Sequence, residues 1–159
     1  FDDDNLEGVL AERLIYKKLT IATAESCTGG LIGKLLTDVA GSSKYFLGSI
    51  TAYSNKLKTD LLDVSENTLR DNGAVSEKVA LEMAEGIRNN THADIGLSTT
   101  GISGPDGGSK SKPLGLVYIG VVTPNVSKVK KYIFRVKRNV HREMTTTAAL
   151  NITRLALED

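Results

Sequence analysis

Apolar residues recur along this chain with two different periods, which predict an alternation of helices and strands. Leu6, Leu10 and Leu14 follow a helical spacing and predict an amphipathic helix over residues 5–18. Residues 19–24 (LTIATA) form a short apolar, β-branched run that is typical of a buried strand. The same two patterns predict helices over 31–39, over 56–72 with a break, from Ser76 onward and from Asn139 to Leu157, and strands over 45–53, 93–99, 114–122 and 129–136.

The order of these elements favours an α/β fold. Early strands alternate with helices, an arrangement typical of a parallel sheet covered on both faces. A short turn at 123–125 joins the last two strands and predicts a hairpin, so we expect a mixed, mostly parallel sheet in a three-layer α/β/α sandwich. We expect one domain over residues 6–159. The acidic residues 1–5 are interpreted as the remnant of a linker from a longer protein.

Composition and charge exclude several function classes. The 159 residues carry a net charge of +1 and 5% aromatic residues, and they show no nucleic-acid-binding motif. No apolar run approaches the ~20 residues that span a bilayer, and no signal peptide is recognisable, so we expect a cytoplasmic protein that binds neither membrane nor nucleic acid. Basic residues concentrate between 128 and 142, which indicates a solvated face or a site for one small anion.

The first candidate site is the loop at residues 24–30 (AESCTGG), where a strand passes through a tight turn into a helix. Backbone N–H groups at such a turn can hold a phosphate or an oxyanion. Ser26 is a candidate nucleophile, although Ser26 and Thr28 are equally typical of helix caps. Cys27 is a rival nucleophile, but it has no natural histidine partner, and we interpret it as a buried inert thiol.

The second candidate loop covers residues 52–58 (AYSNKLK), between a strand and a helix. A serine nucleophile needs a base, and neither His92 nor His141 is well placed to serve. A lysine can act as the base when burial lowers its pKa, because burial disfavours the charged form. Lys58 is one helical turn into this helix beside apolar residues; the alternative is an ordinary surface lysine.

The third candidate loop covers residues 101–113 and carries Gly101, Gly104, Gly107 and Gly108. Its glycines would let a backbone approach a ligand closely, but they match neither a Walker loop nor a dinucleotide fingerprint. Asp106 has no companion carboxylates or histidines in the sequence, so we expect no metal site. A flexible surface loop remains the alternative.

The three loops occur together with residues 73–77 (GAVSE) and 112–115 (KPLG), and in this order and spacing they closely resemble the CinA C-terminal domain family. The resemblance covers about residues 6–157. It implies a three-layer α/β/α sandwich, usually a homodimer. Stand-alone members are nicotinamide-nucleotide amidases, which convert nicotinamide mononucleotide to nicotinic acid mononucleotide and ammonia without a cofactor. Other members form the C-terminal part of two-domain CinA proteins.

The resemblance also implies roles for individual residues. The family's nucleophilic serine falls on Ser26 and its lysine base on Lys58, while its motif tyrosine falls on Tyr53, which is expected to orient Lys58 or to stack on the pyridine. The family's late arginine falls on Arg142, which with Arg138 is expected to bind the phosphate of a pyridine nucleotide. The remaining expected substrate-binding residues are Thr28, Gly29, Gly30, Asn55, Thr100 and Gly101.

Three departures from the family pattern concern substrate affinity more than chemistry. Residues 136–138 read Val-Lys-Arg where similar members carry Gly-Asp-Arg. Ser103 replaces the alanine of a Gly-Ile-Ala-Gly-Pro motif, and His141 replaces a valine. These changes leave open an alternative function, a weakly active or inactive nucleotide-binding module of a two-domain protein.

Overall fold

The computed structural model describes residues 5–158 as alternating helices and strands in the predicted order. Most of the linker expected over 1–5 lies outside the described residues, and Asn5 itself caps the first helix. The helices are α1 (Leu6–Lys17), α2 (Leu31–Asp38), α3 (Asn55–Leu62), α4 (Glu66–Asn72), α5 (Glu77–Thr91) and α6 (Arg138–Ala156). The strands are β1 (Ile21–Glu25), β2 (Phe46–Thr51), β3 (Ile95–Gly101), β4 (Leu116–Val122) and β5 (Ser127–Ile133), and a 3₁₀ turn covers Ser42–Lys44.

The five strands form one mixed sheet in the order β2-β1-β3-β4-β5. Strand β1 pairs in parallel with both β2 and β3, whereas β4 pairs antiparallel with β3 and with β5. Four strands therefore run in one direction and β4 runs against them, which confirms the predicted mixed sheet. The carboxyl ends of β1, β2 and β3 meet at one edge, and the loops that follow them are brought together there.

Helices cover both faces of the sheet and confirm the three-layer fold. Helices α1, α2 and α6 pack over one face, in a core that includes Leu10, Leu36, Leu97 and Leu150. Helices α3 and α5 cover the other face, in a second core around Met83 and its neighbours. All five residues of β1 are buried, as expected for a strand that lies between β2 and β3, whereas β5 at the edge of the sheet has exposed positions. No helix among the described residues has the length and apolar character to cross a bilayer.

Helix α5 lies unusually close to the sheet because glycines face it. A Cβ atom at Gly96 would lie 2.0 Å from the carbonyl oxygen of Ala84, and one at Gly120 would lie 2.7 Å from the carbonyl oxygen of Ala80. Real Cβ atoms do not approach backbone that closely, so larger residues would force the helix away. This close packing holds the start of α5 near the edge where the candidate loops meet.

The structure corrects one local prediction and confirms another. The last helix begins at Arg138 with Lys137 as its N-cap, and no side chain caps it, so the predicted cap at Asn139 is wrong. The broken helix over 56–72 is two separate helices, each capped by a serine hydroxyl, from Ser54 and from Ser65. The serine at 54 matters for the site because it sets the start of α3 and hence the direction of Lys58.

Candidate active site

Ser26 lies in the turn between β1 and α2 and is 7% exposed. The turn is tight because Gly29 and Gly30 adopt positive φ angles of 60° and 104°, which favour glycine. The backbone N–H of Ser26 donates to the carbonyl of Thr99 in the neighbouring strand at 3.1 Å. The strand end and its neighbour thus hold Ser26 at the carboxyl edge of the sheet.

Lys58 meets Ser26 across 32 residues of sequence. Its Nζ lies 3.1 Å from Oγ of Ser26 and donates to the carbonyl oxygen of Tyr53 at 2.9 Å. Lys58 is 1% exposed, because it shares the inward face of α3 with Leu62 one turn later. Ser26 and Lys58 therefore have the geometry of a nucleophile and a general base.

Burial lowers the pKa of the Lys58 ammonium from its ordinary value. Among the described residues no carboxylate forms an ion pair with Lys58, so its charged form lacks the partner that would restore the pKa. A neutral amine can donate one N–H to Tyr53 and direct its lone pair at the hydroxyl of Ser26. The lowered pKa favours this neutral form, which can accept the proton of Ser26.

Tyr53 contacts Lys58 through its backbone carbonyl rather than through its ring. Its side chain is 63% exposed, and its hydroxyl accepts a hydrogen bond from Nη2 of Arg138 at 3.4 Å. The ring therefore forms an outer wall of the site and remains free to contact a ligand.

Cys27, the rival nucleophile, is buried beside Ser26. Burial raises the pKa of its thiol to about 11, although a hydrogen bond with Thr99 and the charge of Arg142 act in the opposite direction. Because the thiolate is the reactive form, a thiol with this pKa is inert at neutral pH. The structure thus favours Ser26 over Cys27 as the nucleophile.

Sequence reasoning missed Glu25, whose buried carboxylate lies beneath the turn. It accepts hydrogen bonds from the backbone N–H groups of Gly30, Ile32 and Gly33 at 3.0 to 3.2 Å. It also accepts from the hydroxyls of Thr28 and Ser49. A negative charge at a helix N-terminus is favourable, and the side chain occupies the donors at the start of α2. An acidic residue just before a glycine-bearing helix start was the available signal.

This arrangement changes the expected roles of the glycine turn. The N–H of Gly30 donates to Glu25 and the N–H of Gly29 donates to the carbonyl of Ser26, so neither is available to an oxyanion in this structure. In residues 5–158, by contrast, no backbone carbonyl accepts from the N–H groups of Cys27 and Thr28, and that of Cys27 contacts only its own thiol. The hydroxyl of Thr28 is fully buried and bonded to Glu25, so it cannot reach a substrate.

A small cavity of about 160 Å³ opens beside Ser26 and Lys58. Its walls come from all three candidate loops and from the start of α6. Of the expected site residues, Tyr53, Thr100 and Gly101 lie here with the Ser-Lys pair, while Thr100 donates its hydroxyl to the carbonyl of Ala74 at 2.8 Å. The lining residues are Ser26, Cys27, Tyr53, Lys58, Ala74, Val75, Thr100, Gly101, Ser103 and Arg138.

Five of the expected binding residues do not line this cavity: Thr28, Gly29, Gly30, Asn55 and Arg142. Asn55 lines a separate surface depression with Lys56 and Asp60. Arg142 donates from Nε to the carbonyl of Cys27 at 2.9 Å and from Nη2 to that of Thr28 at 3.3 Å, so it braces the turn from behind. The arginine in the cavity wall is instead Arg138, one helical turn earlier.

A larger open groove of about 1290 Å³ adjoins the cavity and shares Ser103 and Arg138 with it. Its sides are the glycine-rich loop and the segment between β5 and α6. Lys110, Arg135 and Lys137 also line it, with Asp106 as the one acidic residue among those lining residues. The groove is therefore positively charged. Within the described part of the chain, no group of three or more His, Cys, Asp or Glu side chains is arranged to hold a metal ion.

Comparison with known proteins agrees with this fold. The sequence model of the CinA C-terminal domain family matches residues 3–157 of this chain. A CinA-like protein of Desulfotalea psychrophila is 46% identical over 154 residues, which cover 97% of this chain but 37% of the relative. The chain thus spans well under half the length of such curated relatives. The structure of the competence/damage inducible protein CihA from Agrobacterium tumefaciens is 38% identical with a TM-score of 0.86, over 97% of this chain and 96% of that one. A CinA superfamily protein of Escherichia coli is 31% identical with a TM-score of 0.90, over 99% of this chain and 92% of that one.

Proposed function

This chain belongs to the CinA C-terminal domain family, and from that premise we propose that it is an amidase that hydrolyses nicotinamide mononucleotide to nicotinic acid mononucleotide and ammonia. The observation that carries the proposal is the contact between Ser26 and Lys58 beside a small cavity. Lys58 is buried there and forms no ion pair with a carboxylate of the described residues. The chemistry needs a nucleophile, a base and an oxyanion site. It requires no cofactor.

In the proposed mechanism, neutral Lys58 takes the proton of the Ser26 hydroxyl while Oγ attacks the carboxamide carbon. The N–H groups of Cys27 and Thr28, which donate to no backbone carbonyl among the described residues, support an oxyanion site beside the nucleophile. The Lys58 ammonium then protonates the amide nitrogen, the carbon–nitrogen bond breaks, and ammonia leaves an acyl-enzyme on Ser26. Water attacks the acyl-enzyme with Lys58 again as base, which releases the carboxylic acid and restores Ser26.

The shape of the site supports a nucleotide substrate that extends beyond the cavity. The volume of about 160 Å³ is below the ≈ 300–1,000 Å³ typical of sites that enclose a whole drug-sized ligand. We therefore place the pyridine carboxamide in the cavity and the ribose phosphate in the adjoining groove. Arg138 lies at the junction of the two and replaces Arg142 as the favoured phosphate ligand, since guanidinium binds phosphate through paired hydrogen bonds.

The alternative is a nucleotide-binding module with weak or no turnover, attached to a further domain. Two observations favour keeping it: the chain covers 37% of a curated relative, and Lys137 stands at the helix start where similar members carry aspartate. Tight binding of the nucleotide without ammonia release would select this alternative. The homodimer also remains a prediction, which sedimentation velocity would test.

The test is ammonia release from nicotinamide mononucleotide by the wild type, Ser26→Ala and Lys58→Met. We expect Ser26→Ala to lower kcat more than about a thousandfold and Lys58→Met about a hundredfold or more. Lys56→Met is the matched control, because this exposed lysine on the same helix pairs with Asp60 away from the cavity. A folded Ser26→Ala protein with full turnover would refute the mechanism.

A further inference from the structure

Ser103 and His141 form a buried hydrogen bond across 38 residues of sequence. Oγ of Ser103 lies 2.8 Å from Nδ1 of His141, and Nε2 of the same ring lies 2.9 Å from the carbonyl oxygen of Gly115. A carbonyl can only accept, so Nε2 carries the proton and Nδ1 of the neutral ring accepts from the serine hydroxyl. Both side chains are buried, His141 completely.

The surroundings keep this imidazole neutral. Burial lowers the pKa of His141, the hydrogen bond to the carbonyl of Gly115 opposes this in part, and the nearby charge of Arg138 adds a smaller lowering. Phe134 presents its ring edge-on at 6.1 Å from the imidazole. A histidine whose pKa lies below its ordinary value of 6.5 is a weak base towards a hydroxyl, so the pair is suited to holding structure rather than to nucleophilic attack.

The bond belongs to a two-point contact between the glycine-rich loop and α6. Ser103 bonds to His141, and the next carbonyl, that of Gly104, accepts from Nη1 of Arg138 at 2.8 Å. Positions 138 and 141 lie one helical turn apart, on the same side of α6. Ser103 and Arg138 both line the cavity beside Ser26, so a shift of the loop against the helix would move two of its walls.

Ser103 and His141 are also two of the three departures from the family pattern. The pattern has alanine and valine at these positions, and neither residue has a polar atom to make this bond. In this chain the two changes come together as one hydrogen-bonded pair. A single change would have left a buried polar atom without a partner, which costs more than removing both partners.

We propose that Ser103 and His141 are positioning residues, whose bond holds Arg138 and the loop wall over the cavity and thereby sets the affinity for the nucleotide. The proposal rests on the proposed function for the identity of the ligand. It predicts an effect on KM rather than on kcat, because neither residue contacts Ser26 or Lys58.

The test compares Ser103→Ala, His141→Val and the double variant with the wild type. Each single variant should raise KM for nicotinamide mononucleotide about tenfold, the upper end of the effect of losing one hydrogen bond between neutral groups, with kcat within twofold. The double variant should recover a KM within about threefold of wild type. The carbonyl of Gly115 remains paired in all variants that lack the imidazole, because it also accepts from the N–H of Phe134 at 2.9 Å.

Thr153→Val is the matched control on the same helix. Thr153 is fully buried and donates to the carbonyl of Ala149 at 2.9 Å, away from the cavity. It should lower the melting temperature without changing KM. Single variants at 103 and 141 that lower the melting temperature but leave KM unchanged would overturn the positioning role. A double variant whose KM is as high as that of the more affected single variant would overturn it as well.

A pH series gives an independent readout. Protonation of Nδ1 removes the acceptor for Ser103 and places a charge near Arg138, so the KM of the wild type should rise as pH falls through the lowered pKa of His141. The phosphate of the nucleotide titrates near pH 6 in every variant. The double variant should therefore retain only that background, and an identical pH profile in both proteins would contradict the proposal.

Calorimetric titration of the nucleotide into the Ser26→Ala background separates this inference from the proposed function. The wild type could release no ammonia while the Kd in this background rises in each single variant and recovers in the double variant. In that case the amidase proposal fails and the positioning role stands. A folded protein that binds no nucleotide at all would refute both.

Discussion

Glu25 offers a sharp prediction, because one side chain both completes a helix start and supports the nucleophile turn. Its carboxylate accepts three backbone N–H groups of α2 at 3.0 to 3.2 Å and lies in a fully buried site. Glu25→Ala removes these acceptors together. An unsatisfied buried donor costs about 1–3 kcal/mol, so three of them at the lower limit cost about 3 kcal/mol.

This loss is a large share of the ~5–15 kcal/mol that stabilises a typical domain. At about 2–4 °C per kcal/mol for a chain of this size, Glu25→Ala should lower the melting temperature by about 6–12 °C. Glu25→Gln keeps one oxygen but places an NH₂ group against a donor, so its melting temperature should fall by about half as much. Both should also lower kcat at temperatures where they remain folded, because Ser26 follows Glu25 directly.

Differential scanning calorimetry of the two variants measures the effect. Glu77→Gln is the matched control, since Glu77 is an exposed glutamate in the first turn of α5 and contributes a few tenths of a kcal/mol through the helix dipole. A Glu25→Ala protein that melts within about 2 °C of the wild type would show that water replaces the carboxylate without cost and would refute the reasoning.

Three further predictions concern the site and its support. Burial lowers the pKa of Lys58 in the folded protein below its value in the unfolded chain. The contribution of Lys58 to the free energy of unfolding is therefore fully present only above about pH 10.5 and is lost as pH falls through the folded pKa. Lys58→Met should therefore gain melting temperature relative to wild type at pH 7 more than at pH 10, and a loss at pH 7 would contradict the buried neutral amine. Cys27→Ala should keep at least about half of the ammonia release, because a thiol with a pKa of about 11 is inert; loss of turnover in a folded variant would implicate the thiol. Gly86→Ala should cost more than about 3 kcal/mol in urea unfolding, since its Cβ would lie 1.8 Å from the carbonyl oxygen of Leu62, and an unchanged midpoint would show that α3 and α5 separate freely.

Local patterns in the sequence were enough to predict the order of elements and the layered fold. Burial periodicity is a local property, so the run at β1 and the helical spacing of α1 are visible without tertiary information. The turn at Ser26 and the helix start before Lys58 were predicted for the same reason, because glycines, serine caps and strand ends are local signals.

The tertiary structure decided the partners of the polar groups, apart from the Ser26–Lys58 pair, which the family resemblance implied. The hydrophobic pattern does not predict that the charged Lys58 is buried. Its side chain faces inward because the cap at Ser54 sets where α3 begins. The carboxylate of Glu25 fills the helix start that was expected to serve an oxyanion, and Arg142 braces that turn while Arg138, one helical turn away, lines the cavity.

The sequence by itself therefore determined the strands, the helices and the loops that gather at one edge of the sheet. The tertiary structure decided the partners within those loops, such as Ser103 and His141, which lie 38 residues apart and 2.8 Å from each other. The physical reason is that a hydrophobic pattern specifies which face is buried, whereas a hydrogen bond depends on the direction and distance of two side chains that only the packed chain brings together.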